Sequence, residues 1–160
     1  MAPSATLSGP MKAHAVPLEP GDDLVSSLQR AANDLSQNNC FVISAVGSLS
    51  SVTLRMANAT AQGTATIRTW NENMEILSMV GTFAQHDKHL HLCLSDATGA
   101  TLGGHLVAGT VYTTLELVLG TIEGIRFERA FDQRTGFREL AVTSLTSENT
   151  ARDEKNEAQK

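Results

Sequence analysis

Apolar and polar residues alternate with period two along most of the chain and with helical period along one stretch, which predicts a strand-rich domain with a single substantial helix. With Asp22 read as the N-cap, Leu24, Val25, Leu28, Ala31, Ala32 and Leu35 recur at helical spacing facing a core, and Asn38 and Asn39 end the helix. A short strand over residues 12–18, ended by Pro17 and Pro20, precedes it. Residues 40–46 form a continuous apolar run of strand length, followed by a Gly47-Ser48 turn. Further strands are expected over 51–56, 65–70, 74–83, 111–119, 125–131 and 138–142, with a hairpin around residues 89–106. One helix against so many strands gives an α+β fold, a compact, mainly antiparallel, curved sheet with one major helix. Residues 1–10 and 146–160 are polar and lack an apolar period, so they are expected to be disordered tails around one domain spanning 11–145.

The hairpin carries the candidate chemistry. Along His89-Leu90-His91-Leu92-Cys93-Leu94-Ser95, alternation puts His89, His91, Cys93 and Ser95 on one face and the three leucines on the other. Asp96-Ala97-Thr98-Gly99-Ala100 reads as a three-residue loop closed by Asp96 and Ala100, with Gly99 in the left-handed position. That register sets His91 opposite His105 and Cys93 opposite Gly103, with His89 diagonal to His105. Three imidazoles then converge, a donor set that suits zinc or another divalent metal and leaves one position open. A slip of one residue would separate His91 from His105. The same histidines also fit an exposed polar face or a subunit contact. Cys93 is either a fourth ligand or a small packed residue. Glu116, flanked by Leu115 and Leu117, has three readings: a group orienting a ligand imidazole, a general base, or a solvated position or ion-pair partner of Arg55 or Arg68.

Length and composition narrow the field. The chain of 160 residues, 41% of them hydrophobic, is long enough for one domain with a real core. Two cysteines, Cys40 and Cys93, form no CxxC pair, so reduced thiols and a cytoplasmic location, or a nuclear one in a eukaryotic cell, are expected. No apolar run reaches membrane-spanning length, and no membrane partner is expected. The net charge of −5 and the interleaving of Arg126, Arg129, Arg134 and Arg138 with Glu128, Asp132 and Glu139 disfavour direct DNA binding. Gly103, Gly104 and Gly109 mark close backbone approach without forming a phosphate loop, and no GxSxG elbow is present.

Several segments in order, Gly21-Asp22-Asp23-Leu24, Ile43-Ser44-Ala45-Val46-Gly47-Ser48-Leu49, Met74-Glu75-Ile76-Leu77-Ser78-Met79-Val80-Gly81-Thr82, His89-Leu90-His91-Leu92, Gly103-Gly104-His105-Leu106 and Thr114-Leu115-Glu116, resemble the PPC family ("plants and prokaryotes conserved"). The resemblance implies a homotrimer and, in plant members, a domain that follows AT-hook DNA-binding motifs and meets nuclear protein partners. No Arg-Gly-Arg-Pro hook occurs here, and the plant motif Gly-Arg-Phe-Glu-Ile-Leu is represented only by Glu72-Asn73-Met74-Glu75-Ile76-Leu77. His89, His91 and His105 match the single-domain prokaryotic form, whose equivalent positions look like a metal site. The expectation is therefore a homotrimer with a three-histidine metal site, serving as a DNA-associated regulatory or partner-binding module. The alternatives are a zinc-type, metal-dependent hydrolase or lyase of a small molecule, with Glu116 as candidate base, and a structural or ligand-binding trimer in which the histidines are incidental.

Overall fold

The computed structural model of the protein describes residues 6–35, 39–60, 62–84 and 87–145. Eight strands and one helix follow one another as β1 (Met11–Leu18), α1 (Leu24–Leu35), β2 (Cys40–Arg55), β3 (Ile67–Trp70), β4 (Met74–Ala84), β5 (Asp87–Ser95), β6 (Thr101–Ile122), β7 (Ile125–Asp132) and β8 (Phe137–Ser144). Every strand pairing is antiparallel, as the α+β reading expects. The expected tail 146–160, residues 1–5 of the other tail, and Asn38 lie outside the described residues. Pro10 is docked, its carbonyl accepting the Glu123 N–H at 2.9 Å.

Curvature goes as far as closure. Six strands run in the order β1-β6-β5-β4-β2-β3, and β6 also pairs with β2, so the path β6-β5-β4-β2 returns to β6. Strand β6 manages this by length, giving residues 101–105 to β5 and residues 115–122 to β1, while 105–121 face β2. Leu49, Val52, Leu54, Leu90, Leu92, Leu94, Leu115, Leu117 and Leu119 fill the interior. Helix α1 packs against β6 and buries Leu24, Leu28 and Ala32. Pro17 is tolerated because β1 is an edge strand, where a missing N–H costs no ladder bond on the open side.

Two local expectations change. The helix is capped by Asp23 rather than Asp22: the Asp23 carboxylate accepts the Ser26 N–H at 2.7 Å, while the Asp22 carboxylate accepts the Glu19 N–H at 2.9 Å. The two aspartates share a chemistry, and only the position three residues before a free helical N–H separates them. Residues Gly47-Ser48 do not reverse the chain, because β2 runs through them with irregular register on either side. Gly47 adopts φ 153°, and a Cβ there would fall 2.2 Å from the Thr114 carbonyl, so the glycine bends β2 and lets β6 approach.

Candidate metal centre and its pocket

The β5–β6 hairpin has the expected geometry. The Asp96 N–H donates to the Ala100 carbonyl at 3.0 Å, and Gly99 is left-handed at φ 82°. The Asp96 carboxylate accepts the Thr98 and Ala100 N–H groups at 2.8 and 3.0 Å, which locks the loop and hence the register. His91 faces His105, and Cys93 faces Gly103. Leu90, Leu92 and Leu94 point inward, which leaves the imidazoles on the outer face of the closed sheet. Behind His89, β4 supplies Gly81 at φ 151°, where a Cβ would lie 1.9 Å from the His89 carbonyl oxygen. Only glycine permits that approach of β4 to the histidine strand.

One ring nitrogen from each of His89, His91 and His105 lies within 4.8 Å of the others. The Nε2 atoms of His89 and His91 are 3.1 Å apart. Two nitrogens sharing a tetrahedral ion at ~2.05 Å stand ~3.3 Å apart, so this pair has the spacing of co-ligands. His105 Nδ1 is buried without a hydrogen-bond partner, an unmet need that a cation would satisfy. Burial, then the neighbouring Arg55, then His89 and His91 push the His105 imidazole down to about 4. Burial, with His91 and Arg129 behind it, also lowers His89. Both rings are therefore neutral at pH 7 and keep a lone pair available, the form that binds metal. The donor set could hold a metal ion.

Around the cluster lies a cavity of about 550 Å³. Its walls come from distant parts of the chain: Arg55 from β2, paired with His105; Gly103 and Gly104 from β6; and Arg129, Arg138 and Glu139 from the β7–β8 hairpin. An Arg129 terminal nitrogen donates to the Thr82 hydroxyl at 2.5 Å, which pins that hairpin to β4 at the position paired with His89. Gly104 lets β6 approach β2 closely beneath the cavity, since a Cβ there would meet the Arg55 carbonyl at 2.8 Å.

Glu116 is not brought to this cluster. It is exposed on β6, opposite Pro17 and Val46, and eleven residues from His105, roughly 35 Å along an extended strand. Two carboxylates do line the cavity, Asp87 and Glu139, neither of which the sequence reading singled out for chemistry. Cys93 is outside the histidine cluster and half-buried, as the packed-residue reading has it. Cys40 is buried, and burial raises its thiol to about 11, leaving it a poor nucleophile. Among the described residues no helix is long and apolar enough to cross a membrane.

Residues 6–123 match the model of the Plants and Prokaryotes Conserved (PCC) domain. A curated relative, the bifunctional protein GlmU of a Synechococcus strain, is 40% identical over 141 residues, covering 88% of this chain. The chain spans only 22% of that relative's length. A solved structure of a hypothetical protein from Salmonella enterica superimposes with a TM-score of 0.81 at 30% identity, covering 88% of this chain and 99% of that one. A protein from Archaeoglobus fulgidus described as metal-containing gives 0.72 at 25% identity, covering 85% and 98%.

Proposed function

Because the chain belongs to the Plants and Prokaryotes Conserved domain family, we propose that it is a metal-binding domain in which His89, His91 and His105 hold one divalent ion of the zinc class beside a small-molecule pocket. The observation that carries this reading is the convergence of three ring nitrogens within 4.8 Å, two of them at co-ligand spacing. The metal-containing description of the Archaeoglobus protein supports it. The functional unit is a homotrimer. Ile43 and Val46 on β2 and Leu77 and Val80 on β4 are 42–58% exposed, apolar surface that a subunit contact would cover.

A metal-dependent hydrolase or lyase is the second reading, favoured by a cavity that joins the histidines to Asp87 and Glu139. A divalent ion held there would supply Lewis-acid chemistry. Asp87 and Glu139 are the carboxylates placed to accept or return a proton in the cavity, the role the sequence suggested for Glu116. DNA association is the weaker alternative, because Arg55, Arg129 and Arg138 line a cavity instead of forming a stripe along a surface.

Metal analysis and native mass of protein purified without added metal test the proposal together. About one ion per protomer is expected in a trimer, lost in His91→Ala at unchanged native mass. Wild-type protein that takes up no zinc when zinc is offered refutes the metal assignment.

A further inference from the structure

The cavity has the opposite charge to the chain that builds it. The protein carries a net −5, yet the cavity is lined by Arg55, Lys88, Arg129 and Arg138 against Asp87 and Glu139, four cations to two anions. A divalent ion on the histidines would make the excess larger still. Among the described residues none of Arg55, Arg129 and Arg138 is in an ion pair. Arg129 spends a terminal nitrogen on Thr82, and its buried Nε has no partner. Asp87 and Glu139 offset only part of this charge, and the excess of positive charge left in a half-enclosed space is costly unless an anion joins it.

We propose that this cavity binds a small oxyanion-bearing molecule, a carboxylate or phosphate compound, with Arg55, Arg129 and Arg138 as its anion clamp beside the histidine cluster. Guanidinium forks match either oxyanion through paired N–H donors. The volume of about 550 Å³ suits a small molecule and is too small for a macromolecular segment of any length. Two of the three arginines lie after residue 123, where the family-model match ends. In the β7–β8 register Arg129 is opposite Leu140, two residues from Arg138, so both guanidinium groups share one face of the hairpin. The core domain thus supplies the histidines and Arg55, while the appended hairpin supplies the rest of the clamp. The Arg129–Thr82 bond holds that hairpin in place.

This inference deepens the metal-site reading, and the experiment separates the two. Inorganic phosphate and acetate are titrated separately by calorimetry into zinc-loaded and chelator-treated protein at low ionic strength. Saturable binding of at least one anion by about 10 mM is expected, weakened about tenfold or more in Arg138→Gln and Arg129→Gln with zinc content unchanged. Arg138 is exposed on its strand, so its substitution leaves the fold intact even where Arg129→Gln loosens the hairpin. Phosphate alone saturating identifies a phosphate compound, and acetate alone a carboxylate. Anion binding that survives the failure of zinc to bind upholds the clamp and removes the metal. Zinc-loaded protein that saturates with neither anion, or Arg138→Gln that binds as wild type does, overturns the proposal.

Discussion

Gly81→Ala is the substitution whose cost follows most directly from the geometry. At φ 151° an alanine carries a conformational penalty of about 1–3 kcal/mol. Its Cβ would also fall 1.9 Å from the His89 carbonyl oxygen and 2.9 Å from Leu90 Cα. Both obstacles are backbone, so relief requires β4 and β5 to part at the Gly81–Leu90 pair, weakening ladder bonds worth about 1 kcal/mol each. The total is about 3–4 kcal/mol, or a fall in Tm of roughly 10 °C for a chain of this size. Gly99→Ala is the control. Gly99 also has positive φ, 82°, but nothing lies within 4 Å of its would-be Cβ, so only the left-handed penalty of about 1 kcal/mol applies. Thermal and urea unfolding of chelator-treated proteins at one protein concentration measures both, and competition with a zinc indicator measures the site. Gly81→Ala is expected to weaken zinc binding as well, because His89 sits on the displaced strand, whereas Gly99→Ala is not. Equal costs for the two substitutions would refute the close-approach argument.

Two further outcomes are expected. In chelator-treated protein, stability falls as pH drops from about 6.5 toward about 4, because the unfolded chain takes up a proton at position 105 that the folded, partly buried ring refuses. The group is half-exposed, so solvent screening reduces this to on the order of 1 kcal/mol. Urea midpoints across that range should flatten in His105→Gln, and an unchanged slope would place the effect elsewhere. Asp23→Ala should cost about 1 kcal/mol through loss of the helix cap, with zinc content unchanged, while Asp22→Ala costs less; the reverse order would return the cap to Asp22.

The histidine cluster was legible because every step from sequence to site is local. Asp96 and Gly99 define a loop of known length, the loop defines the register, and alternation then sends the leucines inward and the imidazoles out. Glu116 was misplaced for the opposite reason. Its strand was read as separate from the one carrying His105, whereas both belong to the single 22-residue strand β6, whose length keeps them apart. Gly47 read as part of a turn, but inside a sheet that closes on itself it serves as a bend, whereas Gly103, Gly104 and Gly109 are the sites of close backbone approach that their sequence reading expects. The cavity walls could not be read at all. Arg55 reaches His105 through a pairing fifty residues distant in sequence, and Arg129 and Arg138 arrive on a two-stranded unit whose docking on β4 leaves no trace in local periodicity.

The pairing of β1 with β6 also has a consequence for biosynthesis. Leu18 pairs with Leu115, 97 residues later, and β6 is the only strand beside β1 among the described residues. At about 5–20 residues per second, a ribosome needs roughly 5–20 s to translate that interval. Throughout it the first strand has no partner, and α1 lacks the strand that makes most of its contacts. Closure of the sheet, and assembly of the histidine pocket with it, therefore waits until β6 has left the exit tunnel. A nascent chain arrested before that point should be sensitive to protease over β1 and α1 and a natural client for chaperones that shield apolar strands.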